Sequence, residues 1–162
     1  MLTSVASLEN NVQSNSMFEH LDTAIADVFE NMMGMTCLPL EHQLQQEQGM
    51  TVAICFSGLF RGGCTLYLSQ SAALATTEAL LGESSSDPYD PMIDDAVGEL
   101  CNMIVGRWKS RLGSTQAAAQ LSVPVTSREH STAHAKEWKD GLARSYRFQD
   151  IDGDGTNRTF HG

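Results

Sequence analysis

The sequence predicts an α+β fold in which an antiparallel β-sheet carries two long helices packed on one face. Three observations predict it. Two segments, Met17 to Met33 and Pro91 to about Leu112, repeat apolar residues at helical spacing. Two short runs, Thr51 to Phe56 and Cys64 to Leu68, are rich in β-branched, aromatic and apolar residues, with glycines between them that suit a hairpin. The chain has 162 residues, of which 41% are hydrophobic, enough for one sizeable core and too few for two typical domains.

Each element has its own signals. Met1 to Ser16 is mostly polar and lacks a basic region followed by an apolar block, so it reads as a flexible tail, not a secretory signal. The single domain is then expected over 17–162. Ser16 followed three residues later by Glu19 has the form of a capping box, and Phe18, Leu21, Ile25, Val28, Phe29 and Met32 follow at helical spacing up to a stop at Gly34. Thr36 to Leu40 suits a strand held to an edge by Pro39. Ser69 caps a second helix, Gln70 to Leu81, closed by Gly82, and Asp90-Pro91 opens a third. Leu121 to Val125 reads as a strand interrupted by Pro124. Arg128 to Asp140 is polar and has no clear assignment. Arg144 to Phe148 and Thr156 to Phe160 suit a terminal hairpin.

Charge and cysteine usage narrow the function classes. The formal net charge of −10 repels phosphate backbones and anionic lipid heads, which argues against nucleic acid and membrane surfaces as partners. No apolar run approaches the length that spans a bilayer. Cys37, Cys55, Cys64 and Cys101 lie far apart with no CxxC pair, as expected of reduced thiols in a cytoplasmic protein and not of a disulfide framework or zinc site.

The third helix carries the functional signal. At about 100° per residue, Ile93, Val97, Leu100, Cys101, Ile104, Val105, Trp108 and Leu112 form one apolar stripe. Asp95, Glu99, Asn102 and Gly106 gather on the opposite face, flanked by Met92 and Met103. A solvated polar face is the ordinary explanation of such a pattern. Asn is a poor helix former, however, and Gly98 and Gly106 each cost about 1 kcal/mol relative to Ala. Small residues beside a carboxylate and an amide let another molecule approach closely, and exposed methionines suit an adaptable protein contact.

The pattern Asp95-x-x-x-Glu99-x-x-Asn102, continuing Asn-Met-Ile-x-Gly106 to Lys109, resembles the active-site helix of the CheX/CheC/FliY type of chemotaxis phosphatase. Phe18 to Gly34 is similar to that family's first helix, and Ser57-Gly58…Gly62 and Ser122-Val123-Pro124 also resemble its pattern. The likeness covers about Met17 to Val125. Two departures stand out: Arg111 occupies a position where the family often has Pro, and one site is present where CheC proteins carry two, which favours the CheX branch. Asn31-Met-Met-Gly34 echoes Asn102-Met-Ile-Val-Gly106, but Val28 stands where Glu99 would have its counterpart.

The resemblance implies a protein phosphatase that hydrolyses the aspartyl phosphate of a CheY-like response-regulator receiver domain. An aspartyl phosphate is already activated, and what it lacks is a water held in line with the scissile bond. A carboxamide can accept from that water and donate to a phosphoryl oxygen, so Asn102 is the implied water-orienting residue. A carboxylate pressed on the phosphoryl group would be repelled, so Glu99 is implied to pair with the receiver's Lys. Asp95 would extend the acidic contact, with Met92, Met103 and Gly106 completing the partner-binding surface. No metal ligand or cofactor of the chain's own is implied, since the receiver supplies Mg²⁺. The family also allows a homodimer.

Other readings compete. A non-catalytic module that docks on a receiver or scaffold is the first alternative. Asp150-x-Asp152-x-Asp154-Gly155 begins like a Ca²⁺ loop, but its twelfth position is His161 where a bidentate Glu is expected, so a hairpin turn is favoured. His130 and His134 have metal-ligand spacing without a third ligand. Gly58 to Gly63 lacks the Lys-Ser/Thr of a phosphate-binding loop.

Overall fold

A computed structural model of the chain describes residues 2–5, 11–40, 49–58, 62–112, 119–128, 142–151 and 157–161. The elements in order are β1 (Leu2–Val5), α1 (Asn11–Met33), β2 (Met35–Leu40), β3 (Gly49–Ser57), β4 (Gly62–Ser69), α2 (Gln70–Leu81), α3 (Pro91–Arg111), β5 (Gln120–Leu121), β6 (Val125–Ser127), β7 (Leu142–Ile151) and β8 (Asn157–His161). All described strand pairs are antiparallel. The strand order is β2-β7-β1-β4-β3-β5, with β6 also beside β3 and β8 also beside β7. The fold is α+β, as the sequence predicts.

The β3–β4 hairpin shows why these runs become strands. Met50 pairs with Leu68, Val52 with Leu66 and Ile54 with Cys64. Directly paired residues share a face, so the period-two alternation gathers all six on the core side, where all are buried. The helices close over that side. Phe29 of α1 meets Phe148 of β7 with ring centroids 4.6 Å apart, and Trp108 of α3 meets Phe56 of β3 at 5.5 Å. Such ring pairs add about 0.5–1.5 kcal/mol beyond area burial. Trp108 Nε1 also donates to the Met17 carbonyl at 3.0 Å, which ties α3 to α1.

The helix ends follow their caps. The Ser69 hydroxyl accepts from Ala72 N–H at 3.2 Å, and Gly82 adopts φ +70° while its N–H returns to the Glu78 carbonyl at 2.9 Å. At α3 the Asp90 carboxylate accepts from Met92 N–H at 3.0 Å, with Pro91 at the first helical position.

The N-terminal region differs from the sequence expectation. Residues 1–16 are not simply a tail: Leu2–Val5 lies between β4 and β7, pairing Leu2 with both Leu66 and Arg144. Its backbone pairs with edges of β4 and β7 that would otherwise be left open. α1 begins at Asn11, so Ser16 and Glu19 lie inside the helix and form no capping box there. A cap needs non-helical backbone at the Ser, and no Gly or Pro in Asn11–Ser16 enforces one. The predicted strand over Leu121 to Val125 is split into β5 and β6 by residues 122–124, where Pro124 cannot donate to the ladder. The terminal hairpin is present as β7 and β8, with Phe148 opposite Phe160.

Candidate functional site

α3 presents two faces. The predicted apolar stripe is buried throughout except Leu112, which is half-buried. On the outer face Asp95, Glu99 and Gly106 are exposed, while Asn102, Met92 and Met103 are half-buried. Glu99 and Asn102 are separated by one helical turn, an axial rise of about 4.5 Å, and lie about 60° apart around the axis. Their side chains therefore leave α3 on the same outward side. Met92 and Met103 are less exposed than expected, and Met103 packs against the hydrophobic core.

The two glycines play different parts. A methyl group built at Gly106 would meet nothing within 4 Å, so no neighbour inside the chain requires glycine there. At Gly98 the same methyl would lie 3.5 Å from Pro124 Cβ, and Gly98 is buried. Gly98 thus faces the β5–β6 connector, where an added methyl would make an ordinary contact, and not the outer face. That connector is held in place by Ser122: its hydroxyl accepts from Cys55 N–H at 3.0 Å, and its N–H donates to the Cys55 carbonyl at 2.9 Å.

Polar clamps hold both flanks of α3. Asp27 of α1 pairs with Arg111 and, at 3.8 Å, with Arg107. These pairs draw two long cationic side chains toward α1. At the other end, the Arg128 guanidinium donates to the Pro88 carbonyl, to the Asp90 carbonyl at 3.3 Å and to the Asp94 carboxylate at 2.9 Å, and it lies 5.5 Å from the Tyr89 ring centroid. The carboxyl of Asp90 is held below its ordinary range, first by the Met92 N–H and then by the Ser85 hydroxyl, with Arg128 adding to both. The sequence gives no local sign of either clamp. Asp27 lies 84 positions from Arg111, and Asp94 lies 34 from Arg128, so folding alone brings these partners together.

The remaining candidates fall away from α3. Val28 is fully buried in the core, so α1 offers no acid opposite Asn31, whose amide donates to the Asp27 carbonyl at 2.8 Å. Asp150, Ile151 and Asn157–His161 are paired strand residues, which leaves no twelve-residue Ca²⁺ loop from 150 to 161. Asp152, Asp154, His130 and His134 lie outside the described residues, as does most of the segment Arg128 to Asp140. Cys37 and Cys64 are buried, and burial pushes both thiols up to about 12, while burial and the neighbouring Cys64 raise Cys101. Thiols so protonated are inert core residues. Among the described residues no helix is long and apolar enough to cross a membrane, and no three His, Cys, Asp or Glu side chains are grouped to hold a metal ion.

Comparison with known proteins gives the family. Among curated proteins none matches the chain. The fold is shared with solved structures at low identity. The chemotaxis protein CheX of Vibrio vulnificus is 17% identical, with 90% of this chain and 93% of that one covered and a TM-score of 0.62. CheX in a CheX–CheY–BeF3–Mg²⁺ complex from Borrelia burgdorferi is 19% identical, covering 90% and 95%, also at 0.62. CheX of Desulfovibrio desulfuricans is 18% identical, covering 90% and 97%, at 0.59. A family model described as chemotaxis phosphatase CheX matches residues 50–142, more than half of the chain and all of α3. The chain therefore belongs to the CheX family.

Proposed function

We propose that this chain hydrolyses the aspartyl phosphate of a response-regulator receiver domain. The observation that carries the reading is the outward pairing of Glu99 and Asn102 on a helix whose opposite face is locked into the core. Membership of the CheX family supports it, and so does the likeness to a CheX captured with CheY, BeF3 and Mg²⁺. In this reading α3 enters the receiver's phosphorylated pocket. The Asn102 carboxamide accepts from a water and donates to a phosphoryl oxygen, placing that water in line with the scissile bond. Attack forms a new P–O bond and breaks the bond between phosphorus and the receiver's aspartyl oxygen. Inorganic phosphate leaves and the carboxylate is regenerated. Glu99 pairs with the receiver's Lys and sets the docking register, and Asp95 extends that acidic contact. The Mg²⁺ is the receiver's own.

The rigid mounting matters for such a mechanism, because a misplacement of about 1 Å can cost roughly a hundredfold in rate. Pro124 against Gly98, Asp27 on the two arginines and Arg128 at the first turn all restrain α3. The test is the decay of phosphoaspartate across a panel of phosphorylated receivers. The wild-type chain should accelerate decay of at least one, and Asn102→Ala should remove about a hundredfold or more of that acceleration. No acceleration with any receiver would leave only a docking role.

A further inference from the structure

A cavity of about 180 Å³ opens at the foot of α3, where the start of β3, the first turns of α2 and the Pro88–Tyr89 turn meet. Part of its lining is apolar, with Met50, Ala73 and Ile93 buried and Leu74 half-buried, and polar groups make up the larger share of its surface. Two other groups give it chemical character. Tyr89 is 74% exposed, although its backbone is fixed by a hydrogen bond from its N–H to Asp87 Oδ1 at 2.9 Å. Arg128 lines the same cavity. Among the described residues, three of its five N–H donors go to the Pro88 and Asp90 carbonyls and the Asp94 carboxylate, and these bonds fix its plane.

We propose that this cavity binds a small monocyclic aromatic carboxylic acid, with the ring on the apolar part of the lining beside Tyr89 and the carboxylate on Arg128. A partly apolar lining, an aromatic residue and a pre-oriented guanidinium select a flat body with an anionic end. In size alone the volume suits one ring, since about 150 Å³ accommodates benzene. In a chain of net charge −10 an anion has no general attraction to the surface, so recognition must come from Arg128. Three acids lie close by and each has a partner: Asp94 faces Arg128, Asp90 accepts from Met92, and Asp87 accepts from Tyr89 N–H. This site is separate from the Glu99–Asn102 face and does not depend on the receiver reading.

The test uses the full chain and benzoate as the probe, followed by amide chemical shifts and thermal shift. Benzoate should saturate with Kd of about 1 mM or tighter, shifting residues around Tyr89 and Ile93. Benzyl alcohol, which keeps the ring and loses the charge, should bind about tenfold more weakly, and so should cyclohexanecarboxylate, which keeps the charge and loses the flat ring. Tyr89→Ala alters an exposed side chain and should retain the fold by circular dichroism while weakening benzoate about tenfold. No saturable shift by about 20 mM benzoate would overturn the proposal. Shifts centred elsewhere, or equal affinity in Tyr89→Ala, would overturn it as well.

Discussion

Gly106 lies one turn beyond Asn102 on the outer face of α3, in the helix interior, with open space where a side chain would go. Glycine there costs about 0.5–1 kcal/mol relative to alanine through lost backbone entropy. Gly106→Ala meets no atom within 4 Å, so nothing inside the chain offsets the gain. For a domain of this size each kcal/mol moves Tm by about 2–4 °C, so the variant should melt about 1–4 °C higher. If a receiver surface closes onto α3 at this point, the added methyl group is overpacked there, at a cost of about 1–3 kcal/mol. The expected fall in kcat/KM for receiver dephosphorylation is about 5- to 160-fold. Gly98→Ala is the matched control. Its methyl makes an ordinary 3.5 Å contact with Pro124, so Tm should rise similarly with the rate unchanged. Calorimetry and a phosphoaspartate decay assay on the two variants decide the matter. A higher Tm for Gly106→Ala with undiminished kcat/KM would refute the close approach, and a lower Tm would refute the helix argument beneath it.

Other outcomes follow from the same packing and charge arrangement. Trp108→Ala removes a side chain that is 2% exposed, touches Phe56 and bonds the Met17 carbonyl, and should cost about 3–5 kcal/mol in urea denaturation. Asp27→Ala frees Arg107 and Arg111. Because these groups are 30–41% exposed, solvent screening holds the loss to about 1 kcal/mol in the same assay. Ellman titration of the native chain should modify Cys55 quickly and leave Cys37, Cys64 and Cys101 unreacted until denaturant is added. The depressed carboxyl of Asp90 stabilises the fold fully above its ordinary value of 3.8 and loses that effect as pH falls through its lower folded-state value. The stability gap between wild type and Asp90→Ala should therefore be widest near neutrality and shrink below about pH 4.

The elements legible in the sequence are those whose signals are local. α2 runs from Gln70 to Leu81 between the predicted caps Ser69 and Gly82, because capping and the left-handed C′ glycine are decided within a few residues. The apolar stripe of α3 was legible for the same reason: a period of 3.6 needs no knowledge of partners. β1 was not legible, since four residues with two polar positions form a strand only when β4 and β7 flank them. The start of α1 was misplaced because Ser16 and Glu19 satisfy a local pattern that the helical backbone upstream overrides. At the site, the shared face of Glu99 and Asn102 follows from helix geometry, while the different roles of Gly98 and Gly106 depend on where Pro124 comes to rest. The Asp27 and Arg128 clamps join residues far apart in sequence and leave no local trace.

The most direct measurement compares Asn102→Ala with wild type for two properties of the same receiver: affinity when the receiver carries a phosphoryl analogue, and the rate of phosphoaspartate loss. The account predicts near-normal affinity with turnover lost, because the amide orients water and the acidic residues do the docking. Turnover that persists in Asn102→Ala would contradict it.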